Sequence, residues 1–262
     1  SVAAGNPAMP VSLLEALAKD PEDGVRSAVA GNPTTPVPVL EALAGDSSGW
    51  VRRTVGGNTA APASKLECLS NDPEEWVRSA VAKNTATPAT VLDVLSGDSS
   101  HDVRAEVAKN STTPPPILGR LLADKDSAVK TCAAGNPNAP VPALLKLLPA
   151  KTLRMSRALA AHVHRSPEIR KALWSDANDE VRRAVAGCPG LTQEVLEELV
   201  EETDLEGDLA ALLEHPNLGA KSAELIADKL FNKPATASAW YRRELGKAIT
   251  EVQAAAKADA VL

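Results

Sequence analysis

The stretch Val25–Trp50, VRSAVAGNPTTPVPVLEALAGDSSGW, decides the fold, because it recurs. Moved along by 26 residues it becomes VRRTVGGNTAAPASKLECLSNDPEEW, and moved again VRSAVAKNTATPATVLDVLSGDSSHD. Asparagine stands at Asn6, Asn32, Asn58, Asn84, Asn110 and Asn136. A leucine column runs on from Leu17 through Leu43, Leu69, Leu95, Leu121, Leu147 and Leu173 to Leu199. A fixed period of this size marks an array of stacked units, each packed only on its neighbours.

Each unit holds two helical signals. The first spans about 21–30, with Asp20 expected as the N-cap, Val25, Ala28, Val29 and Asn32 on one face, and Gly31-Asn32 closing it. The second runs from Thr35-Pro36 to Gly45, with Pro36 and Pro38 in its first turn and Leu40 and Leu43 inward. It is short enough for some units to take 3₁₀ geometry. No alternating β-branched run survives the proline and glycine punctuation, so no strand is expected. Aromatics make up 2% of the 262 residues, leaving Leu, Val and Ala to form thin, closely packed layers.

Val-Arg-x-x-Val-Ala-x-Asn, then Thr-Pro, Leu-x-x-Leu and Asp, at 26-residue spacing over residues 1 to about 200, resembles the variant leucine-rich repeat family. The resemblance implies an all-α, right-handed superhelix with alternating α and 3₁₀ helices. Some members of that family carry an iron–sulfur cluster before the repeats; no clustered cysteines exist here, and no cofactor or metal is expected. The Asp20-to-Arg26 spacing is also similar to a HEAT repeat. Neither resemblance implies one particular activity.

The expected organisation is a repeat array over 1–216, beginning within a unit, and capping helices over 217–262. The alignment of Ser1-Val-Ala-Ala-Gly-Asn with Ser27-Ala-Val-Ala-Gly-Asn suggests an upstream segment. Two final helices are expected at 218–231 and about 236–258, where Phe231, Trp240 and Tyr241 suit the end of an array.

Three periodic columns could carry chemistry. Arg26, Arg52, Arg78, Arg104, Lys130 and Arg182 form a basic ladder. It reads either as a row for phosphates or an acidic partner, or as the structural mate of Asp20, Asp46, Asp72, Asp98, Asp124 and Asp176. In the second reading each guanidinium meets the Asp six residues earlier or that of a neighbouring unit. A column of small residues, Ala30, Gly56, Ala82, Ala108, Ala134, Ala160 and Ala186, lies alongside. The asparagines Asn32, Asn58, Asn84, Asn110 and Asn136 read as internal caps for turn backbone that water cannot reach.

The array decays in unit seven, where Ala150, Met155, His162 and Ser166 replace Asp, Val, Asn and Pro. Cys188 then replaces the next asparagine, and His215 lies one residue past the following rung. His162 with Cys188 offers a zinc-like ligand pair but no full ligand set, and no catalytic third group accompanies it.

Two surface patches are candidate binding sites. Arg154, Arg157, Arg165 and Arg170, flanked by Lys151 and Lys171, border eight acids between 194 and 208. Trp50 and Trp76 share a column in adjacent units and could form an aromatic platform or cover a groove between helices.

The net charge of −6, with no basic excess in either half, argues against a nucleic-acid binder. Cys68, Cys132 and Cys188 make no disulfide framework, which suits the cytoplasm. No apolar run is long enough for a transmembrane helix. The expected function is a non-catalytic scaffold binding a protein partner, with nucleic-acid binding through the Arg ladder and the 151–171 patch as the alternative.

Overall fold

A computed structural model describes residues 6–150 and 152–231. The expected final helix with Trp240 and Tyr241, the first residues of the chain and Lys151 lie outside them. Every regular element among the described residues is helical. The chain forms two compact units, Ser1–Ala143 and Leu144–Leu262.

In the first unit, five short helices of seven residues alternate with five longer ones. The short set is α1 (Val11–Leu17), α3 (Val37–Leu43), α5 (Ala63–Leu69), α7 (Ala89–Leu95) and α9 (Pro115–Leu121). The longer set is α2 (Asp23–Ala30), α4 (Gly49–Gly57), α6 (Glu75–Lys83), α8 (His101–Lys109) and α10 (Ser127–Ala134). Helix α2 packs on α4, α4 on α6, α6 on α8 and α8 on α10, giving one layer. The short helices pack on the longer ones that flank them in the chain.

After α11 (Val141–Leu145), a 3₁₀ turn occupies Leu148–Ala150. The second unit continues with α12 (Leu153–Ala160), α13 (Pro167–Trp174), α14 (Asp179–Ala186), α15 (Gln193–Glu202), α16 (Glu206–Leu213) and α17 (Ala220–Phe231). Helices α12, α14 and α16 stack in turn, and α15 meets α17. The short helices of the first unit are α rather than 3₁₀.

Helix starts differ from the sequence reading in one informative way. Helix α2 begins at Asp23, and Glu22 rather than Asp20 is its N-cap. Asp20 instead accepts the Glu22 N–H at 2.9 Å, closing an Asx turn that aims the chain into the helix. Asp46, Asp72, Asp98, Asp124 and Asp176 do the same two residues ahead of themselves. Likewise Pro36 caps α3 rather than joining its first turn. Its extended conformation, φ −59° and ψ 144°, sets the entry angle, and its carbonyl accepts from Val39 and Leu40.

The core is aliphatic. Leu14, Leu40, Leu66, Leu92 and Leu118 are fully buried, one per unit, as are Val29, Val55, Val81 and Val107. Burial of each such leucine contributes roughly 1.5–3 kcal/mol. Because each layer is one helix thick, main-chain groups at the turns fall inside the stack and need partners there.

Candidate functional site

Those partners come from the asparagine and arginine columns. The side chain of Asn84 donates to the carbonyls of Gly56, at 2.8 Å, and Asn58, at 2.9 Å, both in the preceding unit. Its own Oδ1 accepts the N–H of Ala86 at 2.9 Å. Asn58, Asn110 and Asn136 repeat this pattern, reaching Ala30, Ala82 and Ala108 respectively. Asn32 donates to Asn6 and accepts from Thr34. All five are buried. The column of small residues now has a second purpose: those carbonyls are the asparagines' acceptors. A Cβ on Gly56 would come within 3.0 Å of Val81 Cγ2.

The arginines join the other corner of the turns. Arg78 Nη1 donates to Asp72 O at 2.8 Å, so the aspartate six residues earlier supplies its carbonyl. The carboxylate comes from 20 residues later: Arg78 Nε and Nη2 meet the two oxygens of Asp98 at 2.6 and 3.0 Å. Arg26, Arg52 and Arg104 do likewise with Asp46, Asp72 and Asp124. Four donors of each guanidinium are thus turned inward on protein oxygens. Each aspartate serves its own Asx turn and the preceding arginine at once.

The charged states reflect this. The bidentate bonds from Arg26 and Arg104 hold Asp46 and Asp124 below the ordinary carboxylate value, against the opposing effect of burial. At Asp72 and Asp98 burial pushes the other way most strongly. The guanidinium bonds, the turn N–H and the arginine charges together outweigh it, and both stay low.

In the second unit the same places hold different side chains. Arg182 Nε bonds Asp208 at 2.7 Å, 26 residues on rather than 20, since Glu202 occupies the usual position. His215 fills the next rung one residue late. Its Nδ1 accepts the N–H of Asn217 at 3.1 Å, and its Nε2 lies 3.0 Å from the carbonyl of Cys188. These are the acceptor and donor duties of an asparagine, transferred to the Nε2–H tautomer of an imidazole. His162 is fully buried and its Nδ1 lies 3.1 Å from Arg165. Cys188 Sγ sits 3.8 Å from His164 rather than meeting His162. The pair considered from the sequence is therefore not formed. No cluster of three His, Cys, Asp or Glu side chains suited to a metal occurs among the described residues.

The arginines of the proposed basic patch meet different partners. Arg157 on α12 bonds Glu180 of α14 at 2.7 Å, whereas Arg170 on α13 bonds Glu198 of α15 at 3.0 Å. They belong to different helix layers, and each faces an acid of the following helix pair. Arg165 is held against His162, and Arg154 is exposed in the first turn of α12.

The two tryptophans, by contrast, come together. Trp50 and Trp76 have ring centroids 4.8 Å apart with a 38° tilt. Trp50 is 58% exposed and Arg53 lies over it, 5.5 Å from the ring centroid. Trp76 Nε1 donates to Glu74 at 3.1 Å. A Cβ on Gly49 would approach Trp76 to 2.6 Å, so glycine there is what lets the indole lie across the start of α4. Between α4 and α6 the rings border a groove of about 550 Å³ whose lining includes Arg53, Gly57, Ser79, Ala80 and Lys83. The sequence signal for it was the shared tryptophan column. Gly49 and Lys83 gave no signal on their own.

Comparison with known proteins agrees with the repeat. Residues 23–48 and 101–126 match the family model described as leucine rich repeat variant. No curated protein matches the chain. A solved structure described as a leucine-rich repeat variant with a novel repetitive protein structural motif is 23% identical, with a TM-score of 0.45. That match covers 91% of this chain and 80% of the other.

Proposed function

We propose that this array of leucine rich repeat variant units is a non-catalytic scaffold that binds a protein partner, and that it works in the cytoplasm. The observation that carries the reading is the groove between α4 and α6. There a large aromatic surface lies open beside asparagine and arginine ladders whose side chains are spent on holding the stack. Tryptophan and arginine together are what binding hot spots are rich in. The stacked rungs supply the rigidity that keeps such a surface preorganised.

Two further points support it. The ladder guanidiniums are turned onto carbonyls and carboxylates, which leaves them poorly placed for phosphates, and the net charge is −6. Cys68, Cys132 and Cys188 are not joined in disulfides, as a reducing compartment favours, and no helix among the described residues is long and apolar enough to cross a membrane.

Site-specific photo-crosslinking tests the reading. A benzophenone side chain would be placed at position 50, and separately at position 157 on the basic helix α12, in protein expressed in its own host. A discrete protein adduct from position 50 is expected. Adducts with nucleic acid alone, or no adduct from either position, would overturn the scaffold reading.

A further inference from the structure

We infer that the Trp50–Trp76 groove takes an acidic peptide segment of the partner, with an apolar side chain on Trp50 and carboxylates at Arg53 and Lys83. The inference rests on the protein-scaffold reading and adds the chemistry of what is bound.

Charge gives the sign of the occupant. Arg53 and Lys83 are the charged residues lining the groove, and no acid lines it. Both are exposed, and neither takes part in an ion pair of the kind that occupies the ladder arginines or Arg157. The nearby acid, Glu74, is bonded to the Trp76 indole at the opposite end of α6 from Lys83. The groove therefore has Arg53 against its aromatic end and Lys83 in the last turn of α6, which asks for a ligand with an apolar anchor beside carboxylates.

Shape gives the class of the occupant. The floor is small-sided: a Cβ on Gly57 would meet nothing within 4 Å, and Ser79 and Ala80 lie across from it. Such a floor admits close approach of a peptide backbone. A nucleic-acid strand brings a phosphate with every nucleotide and needs a run of cations to follow it. This groove offers two, and the arginines that would extend the run are engaged elsewhere.

The face is local to this part of the array. The tryptophan column holds Gly24, Asp102 and Ala128 in the flanking units, and the Gly49 column holds Asp23, Glu75 and His101. A packing need common to every unit would have left the same residue types throughout.

The experiment is a selection from a displayed library of random decapeptides on the full chain, counter-selected on Trp50→Ala. Enriched peptides are expected to pair an aromatic or aliphatic residue with Asp or Glu. A synthetic copy of the most enriched peptide should bind at least tenfold more weakly to Arg53→Glu/Lys83→Glu. Gly57→Leu, which fills the floor from a position with open space around it, should block it too. Charge reversal at Lys125, exposed in the turn before α10 and outside the groove lining, should leave binding unchanged. Melting temperatures of all variants check that the fold is kept. Enrichment of neutral or basic peptides, or an acidic peptide indifferent to the double reversal, would overturn the inference while leaving the scaffold reading in place. So would displacement of the peptide by oligothymidylate at equal concentration, and so would a selection that enriches nothing. The crosslinking result decides the scaffold reading separately.

Discussion

The rungs between Asn32 and Asn138 and those between Ser156 and Asn217 do the same work with different side chains. In the first stretch one solution is copied: asparagine to the preceding unit's carbonyls, arginine to the following unit's aspartate. In the second, a histidine takes the asparagine's place and an aspartate from a neighbouring helix replaces the one that is missing. The comparison teaches that the array constrains donors and acceptors at fixed points and leaves the residue type open. A buried turn carbonyl must meet an N–H, whatever carries it.

A large effect should come from breaking the regular stretch at a buried central rung. Asn84→Ala removes a donor from the buried Gly56 carbonyl, one of two donors from the Asn58 carbonyl, and the acceptor of the Ala86 N–H. A loss of about 2–4 kcal/mol is expected in thermal or denaturant unfolding. Asn84→Asp keeps the acceptor and loses both donors, so it should recover little. A loss below about 1 kcal/mol for Asn84→Ala would mean water reaches the turn.

The irregular stretch offers the sharper comparison. His215→Ala should cost about 1–2 kcal/mol, since it leaves the Asn217 N–H without its partner and the Cys188 carbonyl with the Leu191 N–H alone. His215→Asn should restore most of that, if the rung asks only for an acceptor and a donor in the right places. Equal destabilisation by Ala and Asn would show that the imidazole is held there by packing and that the equivalence is accidental.

Much of this was legible in the sequence, and the part that was not has a physical cause. The period gave the helix pairs and the absence of strands, which depend on residues within one unit, and the asparagine rungs, which bridge adjacent units from one repeated column. The ladder was half legible. A periodic column states that Arg78 and an aspartate recur together, but Asp72 and Asp98 carry the same column label. Only the stacking of layers shows that one gives its carbonyl and the other its carboxylate. His215 was legible as one residue past its column, but its role as the rung was not: one added residue breaks the count, while the turn absorbs it and the geometry resumes. The run of arginines from 154 to 170 hid its pairing: Arg157 meets Glu180 of α14 and Arg170 meets Glu198 of α15, partners that adjacency along the chain does not show.

Arg78→Ala tests the ladder itself and should lower stability by about 1–3 kcal/mol, because it strands a partly buried carboxylate. Its pH dependence has a definite sign. Asp98 is held low in the folded state, so the stability it contributes is present above the unfolded value of about 3.9 and is lost as pH falls through the folded one. Without the guanidinium, that loss shrinks. The melting temperature of Arg78→Ala should therefore fall less steeply than that of the parent chain below about pH 4. Parallel acid limbs would mean that Asp98 keeps its low value through the turn N–H alone.

The smallest effect belongs to Arg157→Glu, and its smallness is informative. Its pair with Glu180 has the same 2.7 Å separation as Arg182 with Asp208 in the same unit. The difference is exposure: the Arg157 and Glu180 side chains are 56% and 46% exposed, those of Arg182 and Asp208 12% and 2%. In water the Coulomb gain of the first pair is largely screened, and ordering two long side chains offsets what remains. Charge reversal there should change stability by less than about 0.5 kcal/mol. The buried pair behaves otherwise, since Arg182→Ala leaves Asp208 charged in a site where its Oδ1 already lacks a hydrogen-bond partner. A loss of about 2–4 kcal/mol is expected from it. Measuring both variants in one set of melts separates what a bond length says from what burial says. Equal losses would show that the 152–231 stretch is open to water throughout and that its rungs do not stand in for those of the regular repeats.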